Sequence, residues 1–307
     1  MTAAEYPTVA VVIPTMGRDT LRRAVESALA QSVPVTEIIV VLDADVAISV
    51  PADRRVRIVR TSFGVGAGTA RQFGIDAATS DVIALLDDDD EWHPEKLTEQ
   101  LRTVRHLRGA HWIAACSVVA QTATTTAVWP RRLIQEQEPV DDFIFRFHSP
   151  RFGGATLQTS TLCFPRAVAT AVPWSAPPGS QHDDPAWLIR VRTAFPDIPI
   201  VQVPRPLVTY HLTDGSLSRT RRDESAAYIA WGRAHLARSS RRTQGDYFLT
   251  SPVTSAVAGG SPEGVLRSTI AGFRYGRPGF WAICYAAAAI PRAALRAWAI
   301  RTGGGRR

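Results

Sequence analysis

The sequence predicts an α/β fold in which a mostly parallel central sheet is flanked by helices and followed by a helical C-terminal extension. Through about residue 210, short apolar runs rich in β-branched residues alternate with segments of helical periodicity, an order typical of parallel strands joined by right-handed crossovers. Beyond residue 218 the chain becomes rich in arginine and alanine. A content of 45% apolar and 21% charged residues is globular, which excludes collagen, coiled coil and extensive disorder.

The first half of the chain carries the clearest pattern. Residues 9–13 predict a buried strand, and Asp19 is the predicted N-cap of the helix that follows and ends before Pro34. Further predicted strands cover residues 38–42, 56–59 and 82–86, and a glycine-rich loop at 64–68 opens a helix that reaches residue 78. Later segments predict a helix from Pro94, strands near 112–119, 157–164 and 200–203, and a helix that begins at Asp184 or Pro185.

Charge is distributed unevenly along the chain. The formal net charge is +7, yet the segment from Arg219 onward holds 15 arginines and 4 acidic residues, whereas the first 218 residues are net acidic. We do not expect nucleic acid as a partner, because an arginine-dominated, alanine-rich composition reflects genome base composition more than selection for DNA or RNA. A contact of the basic segment with anionic lipid or with a phosphorylated acceptor is the favoured interpretation.

Four consecutive carboxylates, Asp87 to Asp90, follow the predicted strand at residues 82–86. Alone, such a run is typical of a solvated turn, but open α/β sheets bind ligands at the carboxyl ends of their strands. Carboxylates held together there need a divalent cation or strong donors to offset their repulsion, and Mg²⁺ and Mn²⁺ prefer oxygen ligands. Because such an ion keeps positions open for substrate phosphates, the acidic strand end predicts a diphosphate ligand.

Four motifs follow one another in the first third of the chain: VVIPT at 11–15, EIIVVLD at 37–43, GVGAGTARQ at 64–72 and LLDDDDEW at 85–92. In order and spacing they resemble the nucleotide-sugar half of the family 2 glycosyltransferases with the GT-A fold. The resemblance is close over residues 8–105 and continues as scattered motifs to residue 220. It implies a GT-A domain at 1–220, with a nucleotide-sugar half at 1–105 and an acceptor half at 106–220, and leaves 221–307 as a basic, mostly helical region.

The resemblance also implies roles for three residues around the nucleotide. Thr15 and Asp43 match positions that line the pocket for the base, and Arg71 matches an arginine that approaches the base or the diphosphate. The family often has two acids after its second strand, whereas Leu42 precedes Asp43 here. The base identity is therefore open, with a UDP-sugar as the first choice of donor and a dTDP-sugar as the second.

Asp87, Asp88 and Asp89 match the DXD element of the family. In that element the earlier acid typically holds the ribose and the last acid holds the metal. The resemblance thus implies that Asp87 and Asp88 bind the nucleotide-sugar, and that Asp89, with Asp87, binds Mn²⁺ or Mg²⁺. Which acid of the cluster binds the metal is left open.

A second acidic site is expected to supply a general base, because an inverting transfer must remove the proton of the acceptor hydroxyl. The segment QHDDPAWLIR at 181–190 resembles the acidic motif of the family and puts Asp183 at the base position, with Asp184 as the alternative. His182 stands where the family usually has glutamate, and a hydrogen bond from it would shift the pKa of Asp183. Without the resemblance, both acids are helix caps before Pro185.

A third motif, LVTYHLTDGSLS at 207–218, resembles a family segment that reads Tyr-Arg-x-His before Ser-Leu-Ser. His211 takes the arginine position and Thr213 takes the histidine position. A metal or phosphate role for His211 is one interpretation, and an ordinary surface histidine is the other.

Other classes of protein remain as alternatives. A dinucleotide-dependent oxidoreductase is disfavoured because the glycines at 64, 66 and 68 read GxGxG after a later strand, not GxGxxG after the first. A metal-dependent phosphatase would use an aspartyl nucleophile in the acidic run and needs a lysine for the phosphoryl group, and Lys96 is the only lysine. A non-catalytic protein with this fold would be expected to lose Asp183 or the DXD acids, and both are present.

The sequence predicts neither a signal peptide nor a membrane-spanning helix. The longest nearly apolar run, at 280–290, falls short of the roughly 20 residues that a span needs, and three widely spaced cysteines favour a reducing, cytoplasmic compartment. Bulky apolar residues among the arginines at 280–301 predict either an amphipathic segment on the inner face of the cytoplasmic membrane or a helix packed on the catalytic domain.

These expectations combine into one hypothesis. The chain is expected to be an inverting, metal-dependent hexosyltransferase that moves a sugar from a nucleotide-diphosphate sugar to a hydroxyl acceptor in cell-envelope or polysaccharide biosynthesis. The acceptor, which is a glycan, a lipid-linked glycan or a small metabolite, is left open.

Overall fold

The computed structural model describes residues 6–107, 111–122, 124–149, 153–177, 179–212 and 222–303. The chain divides into two compact units: the first comprises Met1–Glu138 and Ala155–Leu212, and the second comprises Pro139–Gly154 and Thr213–Arg307. The second unit therefore includes residues 139–154, which the sequence analysis assigned to the acceptor half. Its main segment also begins before the predicted boundary at residue 220.

The first unit is built on one sheet, which has nine strands within the described residues. They are β1 (Val9–Thr15), β2 (Glu37–Leu42), β3 (Val56–Arg60), β4 (Val82–Leu85), β5 (Glu91–Trp92), β6 (Ile113–Gln121), β7 (Thr126–Trp129), β8 (Cys163–Pro165) and β9 (Ile200–His211). The strand order is β3-β2-β1-β4-β8-β6-β9-β5, and β7 pairs with β6.

Parallel pairing joins β3, β2, β1 and β4. Both β1 and β2 are buried along their whole length, as their continuous apolar runs predict for central strands of a parallel sheet. Beyond β4 the sheet is mixed, because β8 runs antiparallel to β4 and β6, while β6 and β9 are parallel. The predicted α/β fold is confirmed. Because β1 lies between β2 and β4 in the sheet, the carboxyl ends of these three parallel strands lie side by side.

Helices surround the sheet of the first unit and make up the second. In chain order they are α1 (Leu21–Leu29), α2 (Ala67–Ala77), α3 (Lys96–Val104), α4 (Val140–Phe145), α5 (Arg166–Ala171), α6 (Asp183–Ala194), α7 (Ser225–His235), α8 (Arg241–Phe248), α9 (Ser251–Ala258), α10 (Pro262–Tyr275) and α11 (Phe280–Gly303).

Two details of these elements depart from the sequence predictions. The N-cap of α1 is Thr20, which makes no side-chain capping bond. The predicted cap Asp19 is therefore wrong, because it lies one residue before the N-cap. The predicted strand at 157–164 is mostly irregular: a 3₁₀ turn at Thr159–Thr161 precedes the short strand β8. This turn matters for the site, because it brings polar groups to the end of β4.

Helix α2 lies directly on the sheet because it carries a glycine at the contact. A Cβ at Gly74 would come within 2.4 Å of Val12 Cγ1 and 2.9 Å of Val41 Cγ2. Any side chain at this position would push α2 away from β1 and β2. The close approach holds the first turn of α2, and the arginine that follows it, near the carboxyl ends of these strands.

The second unit is helical and consists of α4 and α7 to α11. The ring of Tyr247 packs edge-on against Phe145 of α4, with the centroids 5.0 Å apart. The buried carboxylate of Asp246 accepts backbone hydrogen bonds from Phe147 at 3.0 Å and from Gly279 at 2.7 Å. These contacts explain why residues 139–154 group with the C-terminal helices. No helix among the described residues combines the length and hydropathy of a bilayer-spanning segment.

Candidate active site

The carboxyl ends of β2, β1 and β4 carry the predicted nucleotide-sugar residues. Asp43 follows β2, Thr15 ends β1, and the acidic run begins two residues after β4. Thr15, Asp43 and Asp88 are each only 4% exposed. The structure therefore brings these three residues to one edge of the sheet, as expected for a ligand site of an open α/β sheet.

Asp43 organises the glycine-rich loop that leads into α2. Its Oδ1 accepts a hydrogen bond from the hydroxyl of Thr61 and one from Val65 N at 3.0 Å, and its Oδ2 accepts one from Gly66 N at 2.9 Å. Both carboxylate oxygens are thus engaged within the protein. The predicted contact of Asp43 with a nucleotide base stays a prediction. Its observed contacts fix the glycine-rich loop beside the carboxyl end of β2.

Asp88 and Asp89 share an arginine that the sequence analysis missed. Arg18 Nη1 donates to Asp88 Oδ1 at 3.0 Å and to Asp89 Oδ2 at 2.8 Å, and Thr15 Oγ1 donates to Asp88 Oδ2 at 2.6 Å. Burial raises the pKa of Asp88, although the hydrogen bond from Thr15 and the charge of Arg18 oppose this increase. Burial and the charge of Asp87 raise the pKa of Asp89, and Arg18 again opposes the increase. The sequence contained one signal for this contact: Arg18 follows β1, the strand beside β4, and its charge offsets the carboxylates of the acidic run.

Arg71 connects the acidic strand end with the acids at the start of α6. Its Nη2 donates to Asp87 Oδ1 at 2.7 Å, and its Nη1 lies 3.9 Å from Asp184 Oδ1. The guanidinium also lies over the ring of Trp174, 5.4 Å from the centroid. Although burial lowers the pKa of Arg71, the charges of Asp87 and Asp184 raise it overall, and Asp183 contributes in the same direction. The two predicted acidic sites are therefore one connected cluster.

Asp183 and Asp184 are the first two residues of α6, and the N-cap is His182, which makes no side-chain capping bond. The helix-cap interpretation of the two acids is therefore wrong. His182 has a φ of 51°, a left-handed backbone that is uncommon for residues other than glycine and clusters at functional sites. Helix α6 starts directly after this residue and lies beside the first turn of α2.

The carboxylate of Asp183 lies against Gly68 of α2, where a Cβ would come within 3.2 Å of Asp183 Oδ2. Its Oδ1 is buried and has no hydrogen-bond partner among the described residues. Burial and the charge of Asp184 raise the pKa of Asp183 to about 6, against opposing contributions from Arg71 and from a hydrogen bond with Ser180. This carboxylate can take up a proton near neutral pH.

Asp184 is held more firmly than its neighbour. Its Oδ2 accepts a hydrogen bond from Thr159 N at 3.2 Å, and its Oδ1 faces Arg71. Burial raises the pKa of Asp184, and Arg71 opposes this increase. Because both oxygens of Asp184 face groups of the protein, Asp183 fits the base position better.

Asp90 is fully buried, and hydrogen bonds from the protein hold both of its carboxylate oxygens. Its Oδ2 accepts hydrogen bonds from Ser160 Oγ at 2.6 Å and Gln158 Nε2 at 2.8 Å, and its Oδ1 accepts one from His211 N at 3.3 Å. Burial and the charge of Asp87 raise its pKa well above the ordinary value. No local pattern predicted Ser160 and Gln158, because they come from a segment about 70 residues away in the chain.

His211 lies beside the acidic run. Its Nε2 is 2.9 Å from Glu91 Oε1, and its charge lowers the pKa of Asp89. The predicted metal or phosphate role of His211 stays a prediction. Thr213, in the position where the family has histidine, lies outside the described residues.

Lys96 does not face the acidic run. It is fully buried, its Nζ donates to Gln100 Oε1 at 2.8 Å, and the same nitrogen lies 4.0 Å from the centroid of the Trp92 ring. Burial lowers the pKa of Lys96. The phosphatase alternative therefore lacks the lysine that it needs for the phosphoryl group.

The acids offer a partial set of metal ligands. Among the described residues, no three His, Cys, Asp or Glu side chains are grouped to hold a metal ion. Asp87 and Asp89 nevertheless lie close enough for the charge of Asp87 to raise the pKa of Asp89, and their side chains keep 25% and 17% exposure. Two such carboxylates fit an Mn²⁺ or Mg²⁺ ion that takes its remaining ligands from a bound diphosphate and water.

Known proteins share both the sequence pattern and the fold. The family described as "Glycosyl transferase family 2" matches residues 10–162. The chain is 26% identical over 162 residues to the amylovoran biosynthesis glycosyltransferase AmsB of Erwinia amylovora, covering 52% of this chain and 51% of AmsB. It is 42% identical over 89 residues to the succinoglycan biosynthesis protein ExoO of Rhizobium meliloti, covering 27% of this chain and 25% of ExoO.

The solved structure of S. aureus TarS 1–349 in complex with UDP-GlcNAc matches with a TM-score of 0.52 and 13% identity, covering 96% of this chain and 92% of that one. This likeness confirms the predicted GT-A-like fold. The matched segments span about half of AmsB and a quarter of ExoO. The family match contains Thr15, Asp43, Arg71 and the acidic run, and it ends before Asp183. The chain belongs to glycosyl transferase family 2.

Proposed function

We propose that this chain moves a sugar from a nucleotide-diphosphate sugar to a hydroxyl acceptor with inversion at the anomeric carbon. Arg71 carries the proposal, because it contacts Asp87 on the donor side and faces Asp184 and Asp183 on the acceptor side. Donor groups and base therefore belong to one electrostatically connected site, which an in-line displacement requires.

A UDP-sugar is the preferred donor and a dTDP-sugar the second choice. The structural neighbour TarS was solved with UDP-GlcNAc, which supports a uridine nucleotide. The names of AmsB and ExoO refer to polysaccharide biosynthesis, which supports a glycan hydroxyl as acceptor, free or lipid-linked, over a small metabolite. With such an acceptor, we also propose a cytoplasmic enzyme in peripheral contact with the inner face of the membrane.

Asp183 is the proposed general base. The acceptor oxygen forms its bond to the anomeric carbon while the bond from that carbon to the diphosphate oxygen breaks, and the acceptor proton passes to Asp183. Its Oδ1 lacks a partner among the described residues, so it can receive the donor hydrogen of an acceptor hydroxyl. A pKa of about 6 keeps the carboxylate mostly ionised at pH 7 and still basic enough to accept the proton.

Asp89 and Asp87 are the proposed metal ligands. When bound, Mn²⁺ or Mg²⁺ would neutralise the charge that develops on the departing diphosphate. The protein contributes two cations of its own at the same edge, since Arg18 contacts Asp89 and Arg71 contacts Asp87. Both guanidiniums hold the carboxylates in place and add positive potential where the diphosphate is expected.

A thermal-shift panel tests the proposal directly. UDP, dTDP, GDP, CDP and NAD are each added with and without Mn²⁺, and one nucleoside diphosphate is expected to raise the melting temperature only when Mn²⁺ is present. Asp89→Ala is expected to abolish this rise. Asp197→Ala, which removes an exposed acid outside the cluster, is the matched control and should keep it.

Two results would contradict the proposal in different ways. Flat melting curves with every nucleotide would contradict the donor site itself. A metal-dependent shift without release of the nucleoside diphosphate from any nucleotide-sugar, across a panel of glycan acceptors, would favour the non-catalytic binding protein.

A further inference from the structure

Helix α11 arranges its side chains in the opposite way to an ordinary surface helix. Its buried positions are alanines at helical spacing: Ala282, Ala286, Ala289 and Ala293. Large apolar side chains are exposed instead, among them Phe280, Ile290 and Leu295, at 69%, 50% and 67%. Surface helices of globular proteins normally bury their large apolar residues and expose polar ones.

Helix α10, which packs against α11, shows the same inversion. Its buried residues are mostly small: Gly264, Val265, Ser268, Ala271 and Gly272. Leu266, Ile270 and Phe273 recur at the spacing of one helix face, and each is more than half exposed. Gly272 has to be small, because a Cβ there would come within 1.8 Å of Leu249 Cδ1. We refer to Leu266, Ile270, Phe273, Phe280, Ile290 and Leu295 as the apolar face.

The charges on these two helices have one dominant sign. Glu263 is the single acid in residues 262–303. Arg274, Arg277, Arg292 and Arg296 are exposed, and the described residues provide no carboxylate ion pair for them. A second copy of this chain would bring like charges together, which opposes a symmetric contact. Anionic phospholipid headgroups complement the arginines instead.

We infer that the apolar face and the four arginines dock α10 and α11 onto an anionic phospholipid bilayer. α11 has 24 residues and is therefore about 36 Å long, and it lies along the surface, since no described helix qualifies as a span. The large apolar side chains enter the boundary between headgroups and acyl chains, while the arginines contact lipid phosphates. The inference holds whether or not the chain transfers a sugar.

Sedimentation of the full chain with vesicles tests this docking. We expect binding to vesicles of phosphatidylcholine mixed with phosphatidylglycerol, and little binding to phosphatidylcholine alone. The triple variant Leu266→Ser, Ile270→Ser and Phe273→Ser should lower the partition coefficient at least about tenfold, because it removes buried apolar area. Arg292→Glu combined with Arg296→Glu should lower the partition coefficient by a similar factor, because each basic residue near the surface adds to the attraction by anionic lipid.

Matched controls separate a specific face from general charge and hydrophobicity. Arg54→Glu with Arg60→Glu changes the net charge equally at exposed positions of the first unit, and Val128→Ser removes an exposed apolar residue of β7. Both variants should bind vesicles within about twofold of the parent chain, since neither changes the apolar face or the four arginines. Equal loss in the control and face variants would overturn the inference.

Two further readouts keep the test decisive. Absence of binding to phosphatidylglycerol vesicles, together with a dimer that the face variants dissociate, would assign the face to a second copy and overturn the inference. If a variant does not fold by circular dichroism, brominated phosphatidylglycerol is used with the parent chain. It should quench tryptophan fluorescence, and Trp281→Phe, which removes a 43% exposed ring beside the face, should reduce that quenching. Equal quenching would overturn the inference.

Discussion

The two acidic regions of the first unit hold their carboxylates in different ways. At the strand end, both oxygens of Asp88 accept hydrogen bonds, from Thr15 and Arg18. At the start of α6, Asp183 has one buried oxygen without a partner among the described residues, and its pKa is about 6. Fixed donors suit a group that positions a ligand, whereas a partly satisfied carboxylate with a pKa near neutral suits a group that accepts a proton.

Arg71 contacts both regions and couples their charges. Its ion pair with Asp87 at 2.7 Å fixes one end of the guanidinium, and its field lowers the pKa of Asp183 and Asp184. A single buried cation thereby keeps the base candidate ionisable and the donor acids in place. Substitutions at Asp183, Arg71 and Thr15 therefore change one region, both regions and the other region in turn.

The largest expected effect comes from Asp183→Asn. The amide keeps the shape of the side chain but cannot accept a proton, so transfer should fall by at least about 100-fold, the usual size of a general-base contribution. Donor binding should persist, because the strand-end acids are unchanged. Single-turnover transfer and nucleotide titration measure the two properties separately.

The corresponding change at Asp184 serves as the comparison for this experiment. Asp184→Asn should retain more transfer than Asp183→Asn, since Asp184 is engaged by Thr159 and Arg71. Unchanged turnover in Asp183→Asn would contradict the assignment and would move the base to Asp184 first.

Arg71→Met should cause the next largest change, this time in stability. The side chain is only 7% exposed, and removing one partner of a buried ion pair typically costs about 3–5 kcal/mol of unfolding free energy. The pKa of Asp183 should also rise, because the cation that lowers it is lost. Urea unfolding measures the first effect, and the pH dependence of transfer measures the second.

Arg71→Lys tests whether charge or geometry matters at this position. It keeps the charge and loses the planar fork, so it should lie between the parent chain and Arg71→Met in both measurements. An Arg71→Met protein with unchanged stability and an unchanged pH profile would show that the two acidic regions are independent.

The pH dependence should follow Asp183. Since the base must be ionised, kcat/KM should rise with pH with an apparent pKa of about 6, which amounts to roughly a tenfold increase between pH 5 and pH 7. Stability should move in the opposite direction. The folded pKa lies above the unfolded value, so the contribution of Asp183 is present at acid pH and is lost as the pH rises through about 6.

Asp183→Asn supplies the control for both pH curves. The variant should lose the acid limb of its residual activity, and the fall in unfolding free energy between pH 4 and pH 7 should become smaller, because this titration is absent. An acid limb that remains near pH 6 in the variant would assign the titration to another group.

Much of the first unit could be predicted from local pattern. Strands β1, β2 and β4 are continuous apolar runs, and each occurs close to its predicted position. The short strands β5 and β8 could not be predicted equally well, because they have two and three residues and form only through pairing with distant strands. The grouping of α4 with the C-terminal helices likewise depends on contacts such as Tyr247 with Phe145.

The candidate site divides along the same line. The family motifs identified the acids and Arg71, since those residues follow strands or begin helices in a recognisable order. The motifs could not predict Arg18, Ser160 or Thr159 as their partners, because hydrogen bonds between residues 25 to 73 positions apart leave no local pattern. The raised pKa of Asp183 could not be predicted from the sequence either, because it depends on burial and on the charges of Asp184 and Arg71 together.

The smallest expected effect concerns the strand end alone. Thr15→Val removes the hydroxyl that donates to Asp88 at 2.6 Å. It should weaken nucleotide binding about three- to tenfold, the size of a typical net hydrogen-bond contribution, because it acts on the nucleotide only through Asp88. Thr15→Ser keeps the hydroxyl and should bind like the parent chain. Because Asp183 and Arg71 are untouched, the acid limb of kcat/KM should stay near pH 6 in both variants. A limb that moves with Thr15→Val would mean that the proton acceptor belongs to the strand-end acids, and that the division between a binding region and a proton-accepting region is wrong.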